Sequence, residues 1–160
     1  MQISFREPKI MSNFLDIKQG GKIRFNLPTA AGQTWLRGQV LIINTSSQLE
    51  RYGSAAGTPT ALTAGLALEQ CVAVTTGNII QNTNVVVAGQ TGSILLGEAV
   101  VVNDNLSGTG GWVAGNSQVY TNANGDLTYT ASSNLSGLGT CLVTPAANGR
   151  LTFAFRPPKA

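Results

Sequence analysis

The chain has 160 residues, enough for one domain with an independent core. Only 11% of them are charged while 42% are apolar, which excludes a disordered chain and leaves a neutral surface of Gly, Ser, Thr, Asn and Gln suited to packing against other protein. The net charge of +3 is gathered in residues 1–24, where five basic side chains meet two acidic ones; the remainder balances at five against five, too sparse a footprint for a nucleic-acid partner.

Residues 1–21 read as an extended N-terminal arm and residues 22–160 as a single β domain. In the arm Ile3, Phe5, Ile10, Met11, Phe14, Leu15 and Ile17 recur without a sustained period, and Pro8 and Gly20-Gly21 interrupt them. A segment with that many apolar groups needs a surface to dock on. The start has no apolar signal-peptide core, and no run reaches the ~18 apolar residues of a membrane span, so neither a leader nor a membrane partner is expected.

Residues 22–27 alternate, which predicts a strand with Ile23, Phe25 and Leu27 facing inward and Pro28 ending it. Residues 40–43 form a continuous apolar run, the pattern of a fully buried strand. Residues 44–59 read as a long polar loop. Residues 60–75 are ambiguous: Thr60 could cap a helix, but Gly65 opposes it by about 1 kcal/mol relative to Ala. The stretch is taken as a loop entering a strand at Cys71-Val72-Ala73-Val74-Thr75.

From Asn78 short apolar runs follow at even spacing, residues 78–80, 84–88, 93–96 and 99–102, separated by Gly77, Gly89, Gly92 and Gly97. Gly108-Thr109-Gly110-Gly111 is a flexible tip. A hairpin is predicted with arms at 119–121 and 127–130 around Asn122-Ala123-Asn124-Gly125-Asp126, because Asn and Gly tolerate the positive φ of a tight reversal. Residues 138–143 and 151–156 complete an antiparallel meander that buries Leu151, Phe153 and Phe155, and Pro157-Pro158 stop it. The fold class is all-β: a compact antiparallel β-sandwich or small β-barrel with an extended N-terminal arm.

Chemistry has few places to reside. Histidine is absent, which removes the commonest general base and metal ligand. Of the seven carboxylates, Glu98 and Asp104 flank one strand, while Asp104 and Asp126 occupy positions where turns favour Asp. Cys71 and Cys141 sit in apolar runs and read as free, buried thiols; without histidine partners two cysteines do not make a structural zinc site. The 108–111 glycines lack a following helix start and a Lys-Ser/Thr pair, so they are a turn and not a phosphate cradle. Trp35, Trp112, Tyr120 and Tyr129 suit packing on β faces, with a sugar-stacking platform as the alternative. No catalytic, cofactor-binding or metal-binding residue is assigned, and the chain is not expected to be an enzyme.

The runs Gly89-Gln90-Thr91-Gly92 to Glu98-Ala99-Val100, 119–127, Leu138-Gly139 and Gly149-Arg150-Leu151-Thr152-Phe153 resemble the head decoration, or capsid cement, proteins of tailed bacteriophages. The resemblance covers roughly residues 32–156 and rests on the spacing of strands and glycines. It implies a compact all-β module, often a homotrimer, synthesised in the host cytoplasm and seated on the outer capsid surface of the virion, where it clamps neighbouring major capsid subunits. The arm and the 44–59 loop depart from the shortest members. From its apolar and basic side chains the arm is expected to dock on a neighbouring capsid or decoration subunit through Ile3, Phe5, Arg6, Lys9, Ile10, Phe14 and Leu15. The alternative is that Phe5 and Phe14 fold back over the domain's own sheet edge. The rival function is a carbohydrate- or receptor-binding β module of a virion fibre.

Overall fold

The computed structural model describes residues 14–53, 64–73, 85–131, 137–145 and 149–157. Thirteen strands follow one another among them, and no helix. They are β1 (Leu15–Gly20), β2 (Arg24–Pro28), β3 (Val40–Ile43), β4 (Leu49–Arg51), β5 (Ala64–Ala67), β6 (Gln70–Val72), β7 (Val85–Val87), β8 (Thr91–Leu95), β9 (Ala99–Asn103), β10 (Tyr120–Thr121), β11 (Leu127–Thr128), β12 (Gly139–Val143) and β13 (Leu151–Phe155). Two antiparallel sheets carry the fold, one ordered β1-β9-β13-β12 and the other β2-β8-β5-β3-β4. β6 and β7 form a separate parallel pair, and β10 and β11 a short antiparallel one.

The two sheets face each other across one core. Leu15, Val101, Cys141, Leu151, Phe153 and Phe155 from the first sheet meet Val40, Ile42, Ala64, Leu66 and Leu95 from the second. The alternation in β9 and β13 places Ala99, Val101 and Asn103, and Leu151, Phe153 and Phe155, on the same inner face. β3 is buried on both sides, as its unbroken apolar run requires: Val40 and Ile42 face the sandwich while Leu41 faces a second, smaller core. That second core holds Trp35, Leu41, Leu49, Ala67, Cys71 and Ile94, with Val86 of β7 packed against it.

One ribbon ties the sheets together. β1 pairs with β9 in the first sheet, β2 pairs with β8 in the second, and both chains cross from sheet to sheet at the same corner. The corner is closed by Gly21 N–H donating to Glu98 O (3.0 Å) and by the N–H groups of Leu96 and Gly97 donating to Ile23 O (2.9 and 3.1 Å). Gly20 is required here: its φ is +75°, and a Cβ would lie 2.6 Å from Glu98 O.

Polar ties join the sheets at the far end. Asn103 Nδ2 donates to Gly38 O (2.8 Å), Asn105 Nδ2 donates to Arg37 O (2.5 Å), and Asn103 Oδ1 accepts from Asn105 N (2.9 Å). The β10–β11 hairpin spans the same gap, with Leu127 N–H donating to Asn105 O and Val40 N–H donating to Gly125 O, both at 2.8 Å. Its tip is shaped by Asn122, whose Oδ1 accepts from Asn124 N and Asp126 N.

Three expectations are corrected. Residues 44–53 are not one open loop, because Asn44 Oδ1 accepts from Ser46 N and Gln48 N and reverses the chain into β4; residues 54–59 lie outside the described ones. Residues 64–67, expected as loop, form β5 in the centre of the second sheet. Gly65, which argued against a helix, is there because a Cβ would meet Leu95 O at 2.1 Å. The third concerns the arm. Leu15–Gly20 is a strand of the domain, so no arm extends to residue 21.

Gly20→Ala is expected to cost about 2–3 kcal/mol, lowering the melting temperature by roughly 5–10 °C, since it adds a backbone clash to a positive φ. Gly32→Ala has the same sign of φ (+72°) but nothing within 4 Å, so about 1 kcal/mol is expected there. Equal losses at the two positions in thermal melts would refute the role given to the corner.

Candidate functional site

The bulge in β1 decides what β2 presents. Before it, Leu15 and Ile17 face the sandwich; β9 then opposes Ile17 with Val101 and Gln19 with Val100, so one extra residue enters the β1 side. An extra residue moves every following side chain to the opposite face. Gly20 therefore lies on the inner face opposite Ala99, and Arg24 and Asn26 lie on the inner face opposite Leu95 and Ser93. Ile23 and Phe25 point away from the sandwich and are 63% and 52% exposed. The expectation that Ile23, Phe25 and Leu27 face the main core is overturned. Leu27 alone is partly buried, packed against the second core.

β2 thus makes two surfaces. Its outer face carries Ile23 and Phe25, both exposed, with the exposed Lys22 just before them in the chain. Among the described residues, no strand pairs with the outer edge of β1 or β2. The edge of β12, by contrast, is taken by the 115–119 segment through Gly115 N–H to Cys141 O and Val119 N–H to Gly139 O (2.8 Å each). Leu142, Val143 and Val113 are exposed there as a second, smaller apolar group.

The inner face of β2 borders a groove of about 600 Å³ between the sheets. Arg24, Asn26, Ser93 and Glu69 line its wall, Asp16 and Arg37 its rim, and Ile17 and Leu68 its apolar floor. The wall is held in place. Ser93 offers its backbone N–H and its hydroxyl to the Glu69 carboxylate (2.9 Å each), and the same hydroxyl lies 2.8 Å from the Asn26 side-chain amide. Trp35 Nε1 donates to Glu69 O (2.9 Å), and Arg24 Nε donates to Gly21 O (3.1 Å). Asp16 is ion-paired with Lys18 at an exposed site, a contact worth little by itself.

The residues expected to dock on a neighbour separate into two groups. Ile3, Phe5, Arg6, Lys9 and Ile10 lie outside the described residues. Phe14 and Leu15 are engaged with their own domain: Leu15 is in the sandwich core, and Phe14 N–H donates to Asp104 Oδ1 (2.9 Å) while the Arg150 guanidinium sits 3.8 Å over its ring. Both are therefore unavailable as free docking groups.

Glu98 and Asp104 stand at opposite ends of β9. Six residues of extended chain separate them by roughly 20 Å, beyond the ~5–10 Å of a paired-carboxylate glycosidase site. Asp126 accepts from Gln39 Nε2 (2.7 Å), which anchors the hairpin tip. Trp35 and Trp112 are buried, so neither offers a face for stacking a sugar; the Trp112 indole donates to Gly108 O (3.0 Å) and its ring meets Tyr129 edge-on at 5.5 Å. Among the described residues no cluster of His, Cys, Asp or Glu could hold a metal ion.

Both cysteines are free and buried, as expected. Burial pushes the Cys71 thiol from 9.0 up to about 11, with the nearby Glu69 carboxylate adding to the shift, and burial raises Cys141 as well.

No protein-family model matches the chain, and neither a curated protein nor a solved structure matches it.

The Cys71 shift makes a pH test. In the unfolded chain this thiol ionises near 9 and in the folded chain near 11, so between those values the unfolded state holds fewer protons and stability falls as pH rises. The stabilisation is complete below pH 9. Relative to Cys71→Ala, the native protein is expected to lose about 1–2 kcal/mol between pH 9 and 11 in denaturant titrations. Parallel pH profiles for the two proteins would contradict it.

Proposed function

We propose that this chain is a non-catalytic structural protein of a phage virion that binds the outer capsid surface and cements neighbouring major capsid subunits, acting as a homotrimer without a cofactor. The observation that carries the reading is the outer face of β2, where Ile23 and Phe25 stand exposed on a sheet edge that has no strand partner among the described residues. A bare edge with apolar side chains is a surface for adding protein, through main-chain hydrogen bonds and burial of side chains. Three further features support the reading. The decoration-protein resemblance runs through β8, β9 and β13, the strands that hold this edge in place. The composition is poor in charge, which suits a chain packed among other subunits. Residues 3–10 carry apolar and basic side chains, and only residues 11–14 separate them in sequence from β1.

For the rival fibre-module reading, Trp35 and Trp112 are inside, so a stacking platform would fall to Tyr120 and Tyr129.

Purified protein incubated with undecorated, expanded capsids should co-sediment saturably. Phe25→Ser and Ile23→Ser should each weaken that binding by roughly tenfold, the effect of leaving unburied the exposed half of a large apolar side chain. Their melting temperatures should stay within a few degrees of the parent, since neither side chain belongs to a core. Unchanged capsid binding in both variants would overturn the role of this face, and absence of saturable co-sedimentation would overturn the function. Sedimentation equilibrium showing a monomer at micromolar concentration, with capsid binding intact, would remove the trimer.

A further inference from the structure

We infer that the groove between β1 and β2 is a second binding site, independent of the capsid-docking face, and that it takes an uncharged carbohydrate of one or two sugar rings. The groove exists because the β1 bulge turns Arg24 and Asn26 inward at positions that an unbulged strand would have filled with Ile23 and Phe25. A sandwich stabilised only by packing would close this gap with apolar side chains. Here it stays open and polar, at about 600 Å³, within the ~300–1,000 Å³ of small-molecule sites.

The lining selects the ligand class. Two guanidinium groups, Arg24 and Arg37, face two carboxylates, Asp16 and Glu69, and Lys18 is paired with Asp16, so the groove offers at most a weak pull on an anion and none on a cation. Its polar groups are planar and bidentate (carboxylate, guanidinium and the Asn26 amide), which matches the paired donors and acceptors of vicinal hydroxyls. No aromatic ring lines it, which disfavours a nucleobase or another flat apolar ligand. Ile17 and Leu68 form a small apolar floor that fits the C–H face of a pyranose. The site is also preorganised: Glu69 is fixed through its backbone by Trp35 and through its carboxylate by Ser93, so binding need not order it.

The test uses the full chain, isotope-labelled, titrated with maltose, cellobiose, lactose and N,N′-diacetylchitobiose, with 3′-sialyllactose as a charged comparison and glycerol as a polyol lacking a ring. At least one neutral disaccharide should shift the amide resonances of Asn26, Glu69 and Ser93 saturably, with a dissociation constant of about 1 mM or tighter. Glu69→Gln and Arg24→Met should each weaken that binding about tenfold or more while the thermal melt stays unimodal. Phe25→Ser should leave it unchanged, which separates this site from the capsid-docking face whatever the fate of that reading. The inference is overturned if none of the neutral disaccharides shifts the groove resonances. It is equally overturned if glycerol or 3′-sialyllactose matches the neutral disaccharides, or if both groove variants bind as the parent does.

Discussion

The fold depends on one two-stranded ribbon bent across both sheets. Residues 15–28 run antiparallel to residues 91–103, and the glycine corner at Gly20-Gly21 and Gly97 carries the pair from one sheet to the other. Strands that switch sheets usually turn through bulges or bends, and this ribbon uses both. The bulge between Ile17 and Gln19 has the larger consequence because it acts on parity. A strand has two faces and a period of two, so one inserted residue exchanges inside and outside for everything downstream until another irregularity restores it. Nothing restores it before Pro28. The partner strand keeps its own parity through the corner, with Leu95 and Ala99 both inward, so the inverted residues face a regular neighbour and the ribbon still zips closed.

The remainder of the molecule tolerates this inversion because its stability is held elsewhere. Phe153 and Phe155, in edge-to-face contact at 6.4 Å, fill the sandwich beneath β13, and aromatic burial of this kind dominates a core of modest size. At the end away from the corner, the sheets are joined by hydrogen bonds and not by packing alone. Asn103 and Asn105 are almost wholly buried; their amide N–H groups donate to the carbonyls of Gly38 and Arg37, and Asn103 Oδ1 accepts from Asn105, while Asn105 Oδ1 is buried without a partner among the described residues. Buried amides are costly when unpaired and specific when paired, so this cluster fixes how the 36–39 turn sits against β9. Gly38, at φ +91° with both asparagine side chains within 3 Å of a would-be Cβ, leaves no space for another residue. The hairpin tip at Asn122–Asp126 then packs on Gln39 and Val40, and the gap between the sheets is spanned a second time.

Function, as proposed, divides between the two faces of the same strand. The outer face is apolar, exposed and flanked by cations, and it belongs to an edge that Lys18, Lys22, the bulge and Pro28 shield from indiscriminate strand pairing. Those devices narrow the edge to a fitted partner without removing its capacity to bind one. The inner face is polar and borders the groove, and shape and hydrogen-bond geometry matter there more than area. Neither surface would exist if β2 kept the parity of β1, so a single inserted residue links the exposed apolar face to the groove.

The sequence by itself determined the all-β class, the strands from β8 onward, the inner face of β13, the Asn-Gly hairpin and the buried thiols. Each of these follows from local rules: a period of two, a glycine or asparagine where φ must be positive, a cysteine inside an apolar run. It also marked Gly65 as hostile to a helix, although the reason, close approach to Leu95 O in a central strand, was not local. Only the tertiary structure decided which way β2 faces, that Phe14 and Leu15 belong to the domain, and that Arg24, Asn26, Glu69 and Ser93 converge on one groove. The sequence of residues 22–27 alternates as cleanly as that of 151–155, and nothing within it says which of its two faces meets the core. That choice lies in a bulge seven residues upstream, which is defined only by pairing with β9 some eighty residues later in the chain. Pattern is a property of a segment, whereas parity is a property of its partner.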